Sequence, residues 1–287
     1  MMRSYGGVVM VFCLVAAALG SGCLGDASPG GQGEEGRMLV AVTIPPQAEF
    51  VERVGGERVS VLVLVPPGAS PHTYEPTPAQ ITALSDARMY AAVGSGIEAE
   101  RAWLDRISGV NPDMLMVNCS EGIALIDGDP HVWLSVRNAQ EMAERICDGL
   151  IAIDPDGEAY YRANLEDYLT DLDDLDRRIA ADLAGREGEA VMVYHPSWGY
   201  FMRDYGLTQV PIEADGKEPT PAAIERLIRQ AEEEGITVVF ASPESSTRSA
   251  EVIADAIGGR VVTVSPLARD YTANMETVAD AFAEAAR

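Results

Sequence analysis

Three histidines, His72, His131 and His195, are the only imidazoles in the 287-residue chain. They stand in "GASPHTYEPTP" (68–78), "GDPHVWLS" (128–135) and "VMVYHPSWGYF" (191–201), each beside a proline. Neutral imidazole is a principal ligand of zinc, and three of them with one further ligand complete a tetrahedral site. A single histidine in a packed loop reads as structural. Three, with none used elsewhere and all in the same kind of setting, read as a metal site. The same set with an open water position is also that of a catalytic zinc, whose bound water reaches a pKa of about 7. Glu75, three residues after His72, is then the candidate base, but "HTYEP" lacks the helical HExxH spacing of a metalloprotease. A third use is a metal held for structure or adhesion, which could not be removed without unfolding the protein.

The elements that must position these residues follow from hydropathy. Continuous apolar, β-branched runs at 38–44, 59–65, 89–93 and 113–117 predict strands, with helices at 45–56, 78–86 and 98–107 between them. The second half repeats the plan without a close sequence repeat. Strands are predicted at 190–194, 207–212, 236–241 and 260–264, and helices at 221–235 and 249–259. Short buried strands alternating with helices give an α/β fold with parallel sheets covered on both faces. His195 directly ends a strand, and His72 and His131 lie in loops that follow strands. Ligand sites in such sheets form beyond the carboxyl ends of the strands, where all three loops can converge. Between the halves, apolar residues at Tyr161, Leu165, Tyr168, Leu172, Leu175, Ile179 and Leu183 mark one amphipathic helix over 155–185, about 45 Å long. It is long enough to brace two lobes. "DLDDLD" (171–176) lies on its charged face and lacks the glycine turn of a calcium loop. Trp133, Trp198, Tyr200 and Phe201 flank the histidines and are expected to pack and shield them.

The chain opens on a targeting pattern: Arg3, an apolar run over 8–20, then "SGC" at 21–23. Residues 1–22 are expected to be a signal peptide and Cys23 a lipidated anchor, with a plain secretory signal or an uncleaved anchor as the alternatives. Residues 23–37, rich in Gly, Ser, Pro and Glu, are expected to be a flexible tether. The protein body is therefore expected outside the cytoplasm. The remaining plan is a metal-binding lobe over 38–154, the linking helix over 155–185 and a second lobe over 186–287. Forty-five acidic residues against 21 basic ones give a net charge of −24, which repels phosphate backbones and excludes nucleic acid as a partner. Cys119 and Cys147 are either one disulfide or two buried thiols. No phosphate-binding or serine-nucleophile motif is present.

"PHTYEPTP", "DPHVWLS", "YHPSWGYF" and "FASPESSTRSAEVIADAIGGRVVTVSPLARDY" (240–271), in that order, resemble the metal-binding substrate-binding proteins of zinc and manganese ABC transporters, the cluster A-I or ZnuA-like family. The resemblance covers residues 38–287. It implies two Rossmann-like lobes joined by one long rigid helix, no enzymatic activity, and a monomer that captures a divalent metal and presents it to a membrane permease. His72, His131 and His195 match the family's ligand positions. The family often has aspartate where this chain has Ser265, so the fourth position falls to water or to Glu75, Asp129 or Asp270. A nitrogen-rich set favours Zn(2+), with Mn(2+) the alternative. The family's histidine-rich loop is absent, since no further histidine exists.

Overall fold

The computed structural model describes Met1 and residues 36–214, 216–244 and 248–285. Apart from Met1, the expected signal peptide lies outside the described residues, as do Cys23 and the tether up to residue 35.

Two four-stranded parallel sheets form. The first comprises β1 (Met38–Val42), β2 (Val59–Val63), β3 (Met89–Ala92) and β4 (Leu115–Asn118), in the order β2-β1-β3-β4. The second comprises β5 (Ala190–Val193), β6 (Thr208–Pro211), β7 (Val238–Ala241) and β8 (Arg260–Thr263), in the matching order β6-β5-β7-β8. Pro211 can end β6 because that strand is an edge, where a missing N–H breaks no ladder. Parallel strands need crossover connections, and the expected helices supply most of them. These are α1 (Pro45–Gly55), α2 (Pro78–Ala83), α3 (Glu98–Val110), α7 (Pro221–Glu234) and α8 (Arg248–Ala256).

Three further helices were not anticipated: α4 (Val136–Ile153), α6 (Gly199–Tyr205) and α9 (Tyr271–Ala285). The signal for α4 is present in the sequence. Ser135 caps it by accepting the Asn138 N–H, and Val136, Ala139, Met142, Ala143, Ile146, Cys147 and Leu150 form a buried stripe at helical spacing. A local repeat also emerges once the sheets are aligned. "EPTP" occurs at 75–78 and 218–221, and its threonines, Thr77 and Thr220, cap α2 and α7, each followed by proline.

The long helix α5 (Glu158–Asp182) follows a 3-10 turn at Pro155–Gly157, and its 25 residues span about 38 Å. It packs against α1 and α4 of the first half and α9 of the second. Tyr161, Tyr168, Leu172, Leu175 and Ile179 are its buried residues. Alternate strand residues point to opposite faces of each sheet, and this divides the core. Val40, Val42, Met89 and Ala91 of the first sheet share one continuous apolar cluster with Val191, Val193, Val238 and Phe240 of the second, through α5 and Phe282. The intervening residues, Ala41 and Tyr90 or Met192 and Val239, enter separate outer cores. The two lobes are therefore fused through a common interior. Cys119 and Cys147 are buried free thiols within that interior.

Candidate metal centre

Each histidine is carried by a loop at the carboxyl end of a strand, and each is fixed from behind. His72 lies in the β2–α2 loop. Its main-chain N–H donates to Ser70 Oγ at 3.3 Å, and the neighbouring Pro71 carbonyl accepts the Ala99 N–H at 3.0 Å, tying the loop to the start of α3. His131 follows β4 in a turn made by Asp129, whose Oδ1 accepts the His131 main-chain N–H at 2.9 Å. Ser95 Oγ donates to the Pro130 carbonyl, joining this turn to the loop after β3. His195 stands two residues beyond β5, and the Ser197 N–H donates to its carbonyl at 2.8 Å.

The three rings converge. His72 Nε2 lies 3.2 Å from His131 Nε2 and 3.1 Å from His195 Nε2, and the latter two are 3.3 Å apart. A tetrahedral metal at 2.0–2.1 Å from each nitrogen requires donors about 3.3 Å apart. The opposite nitrogen of every ring faces a carboxylate. His72 Nδ1 is 2.7 Å from Glu98 Oε2, His131 Nδ1 is 2.7 Å from Asp129 Oδ1, and His195 Nδ1 is 3.4 Å from Glu213 Oε1. Carboxylates on Nδ1 hold the proton there and leave the lone pair on Nε2. Three lone pairs directed at one point repel one another unless a cation sits between them. Among the described residues, these three histidines are the one group of three or more such side chains with ligand atoms close enough to share an ion.

Burial lowers the proton affinity of two of the rings. His131 is 4 % exposed, and loss of solvation pushes its pKa down, against the opposing pull of Asp129. His195 is lowered to about 3 by burial first and by the neighbouring His131 and His72 second. A neutral ring can ligate without first losing a proton. Burial also raises the carboxyl of Glu213.

The rings open into a cleft of about 760 Å³, whose second-lobe wall carries Tyr194, Glu213, Glu218 and Glu244. Trp133 backs His131, with ring centroids 5.4 Å apart, and its Nε1–H donates to the Pro266 carbonyl of the second lobe at 2.8 Å. Trp198 and Phe201 pack on Phe282 in the core. Of the candidates for the fourth position, Asp129 is engaged on His131, while Glu75 and Asp270 are exposed and do not line the cleft. Ser265 Oγ accepts the Leu267 N–H at 3.2 Å within its own loop. Glu98 and Glu213 were missed from the sequence. A signal existed for each: Glu98 opens a predicted helix, and Glu213 directly follows a predicted strand at its carboxyl end.

The profile of the family "Zinc-uptake complex component A periplasmic" (ZnuA) matches residues 40–285. The high-affinity zinc uptake system protein ZnuA of Bacillus subtilis is 28% identical over 291 residues, covering 93% of this chain and 90% of that protein. The manganese-binding lipoprotein MntA of Halalkalibacterium halodurans is 35% identical over 244 residues, covering 81% and 78%. Among solved structures, a crystal structure of ZnuA superposes with a TM-score of 0.85 at 39% identity, covering 88% of this chain and all of that one. A zinc-bound deletion mutant of ZnuA gives 0.82 at 40% identity, covering 87% and 98%. Two like-ordered parallel sheets, a long helix between them and a profile match over nearly the whole described chain identify the protein as a member of the ZnuA family of metal-binding ABC-transporter substrate-binding proteins.

Proposed function

We propose that this protein captures Zn(2+) between its two lobes with His72, His131 and His195 and presents it to the permease of a membrane ABC transporter. The observation that carries the reading is the convergence of three Nε2 atoms at tetrahedral spacing, each ring backed by a carboxylate. The zinc-uptake relative and the zinc-bound structure support the choice of metal. So does the all-nitrogen donor set, since imidazole suits zinc whereas manganese favours carboxylate oxygen. Manganese is the second reading, favoured by the 35% identical relative named as manganese-binding. The metal is cargo, and capture involves no bond chemistry. Glu75, the base that a hydrolase would need, is exposed and away from the cleft.

The domain plan belongs to the same proposal: a signal peptide over 1–22, lipidation at Cys23, a tether to 37, lobes over 38–154 and 186–287, and a linking helix over 155–185. It holds a monomer at the outer face of the membrane, where the cleft meets the permease. Competitive calorimetry of zinc and manganese into chelator-stripped protein tests the reading. Tight one-to-one zinc binding with weaker manganese is the expected result. Equal or tighter manganese reassigns the cargo, and binding of neither overturns the proposal.

A further inference from the structure

The second lobe reaches across to the turn that holds His131. Tyr200, the second residue of α6, is fully buried. Its hydroxyl accepts the Ile126 N–H at 2.8 Å and donates to the Asp129 carbonyl at 3.2 Å. The Asp129 N–H itself donates to the Ile126 carbonyl at 3.1 Å, so one hydroxyl closes both ends of a tight turn in the opposite lobe. Asp129 Oδ1 then takes the His131 main-chain N–H and faces Nδ1. One residue earlier, Gly199 leaves the space in which this carboxylate sits, because a Cβ there would lie 2.3 Å from Asp129 Oδ2. The matched position of the first lobe makes a reciprocal contact. Glu49, seven residues beyond β1 as Tyr200 is seven beyond β5, accepts the Thr272 N–H at 3.2 Å at the start of α9.

We propose that Tyr200 is a positioning residue for metal capture: from the second lobe it holds the Ile126–Asp129 turn, and through Asp129 it fixes the ring of His131. The proposal rests on the reading of the three histidines as the metal site. Its consequence is that the orientation of His131 loosens when α6 leaves the turn. A partner that draws α6 away lowers metal affinity without touching a ligand.

Tyr200→Phe removes the hydroxyl and keeps the ring. Zinc affinity is measured on the full-length chain by competition with a chromophoric chelator, for wild type, Tyr200→Phe, Asp129→Ala and the double variant. Partners on the far nitrogen of a ligating histidine are worth about 10–100-fold in affinity, so Tyr200→Phe is expected to weaken zinc by about tenfold and Asp129→Ala by more. If Tyr200 acts through Asp129, the double variant binds no more weakly than Asp129→Ala alone. Unchanged binding by Tyr200→Phe, or a loss that adds in full to that of Asp129→Ala, overturns the proposal. Gly199→Ala, which crowds the same carboxylate and keeps Tyr200, carries the test should Tyr200→Phe not fold, with the same loss expected. If wild type binds no zinc, the reading of the histidines fails, and the ring nitrogens of metal-free His131 still decide the role of Tyr200. Nitrogen NMR is expected to find the proton on Nδ1 in wild type and shared between the two nitrogens in Tyr200→Phe. Identical ring spectra overturn it.

Discussion

In the first sheet β1 runs into Thr43-Ile44-Pro45; in the second, β5 runs into Tyr194-His195-Pro196. Both strands hold the second place in their sheets and each leads into a helix. Ile44 is fully buried, whereas His195 at the matching point faces the cleft. The loops after β4 and β8 compare in the same way. Asp129-Pro130-His131 and Ser265-Pro266-Leu267 make one kind of turn, closed by the His131 N–H on Asp129 Oδ1 at 2.9 Å and the Leu267 N–H on Ser265 Oγ at 3.2 Å. Here the first lobe carries the histidine and the second an apolar residue. One backbone plan used twice thus presents either a histidine of the cluster or a packing residue, according to a single side chain. The first lobe contributes two rings and the second one, so the three-histidine cluster forms only where the lobes are held together. The shared core along α5 and the Trp133–Pro266 bond do that holding.

Removing a nitrogen tests the division of labour most directly. His131→Ala and His195→Ala, one from each lobe, are each expected to weaken zinc by more than the roughly 100-fold upper end for an outer partner, as read by calorimetry. A tolerated His195→Ala would make the site a property of the first lobe alone. Next in size, Leu172→Ala opens a cavity in the common core and is expected to cost about 2–5 kcal/mol. Thermal unfolding should remain one transition shifted downward; two separated transitions would show lobes that fold independently.

Ser265→Asp gives the second lobe's turn the carboxylate of the first. It is expected to raise manganese affinity relative to zinc by about tenfold, since oxygen donors suit manganese. An unchanged ratio would mean that the new carboxylate serves only the turn. The pH response follows from the lowered pKa values of His131 and His195. Burial lowers the proton affinity of both rings, and protons compete with zinc for His195 only as the pH falls toward about 3. Between about pH 7 and 5.5, His195 should therefore release no proton on zinc binding, so that fewer than three protons per site are counted by calorimetry in buffers of different ionisation enthalpy. Release of three would contradict the burial of the pair. The smallest effect concerns the repeated caps: Thr77→Ala and Thr220→Ala should each cost about 1 kcal/mol in denaturant unfolding.

Much of the plan was written locally. Continuous β-branched runs fix parallel strands because both faces must be buried, and the seven-residue apolar rhythm of 161–183 fixes α5. Three histidines beside prolines, each beyond a strand, name the candidate ligands by chemistry alone. The α4 stripe was equally readable. So was α9, where Tyr271, Met275, Val278, Ala279 and Phe282 recur at helical spacing, whereas α6, with seven residues, is too short for periodicity to mark it.

Tertiary structure decided what depends on distance between remote residues. Glu98 lies 26 residues from His72 and Glu213 lies 18 from His195, separations that carry no mark in the chain. Whether Asp129 ligates a metal or orients a ring depends on which atom stands 2.7 Å away. The lowered pKa values of His131 and His195 follow from loss of solvent, which no local pattern encodes. Residue types therefore determined what chemistry was possible, and packing determined which atoms face one another. Coordination and proton affinity respond to the second because both change steeply over a few ångströms.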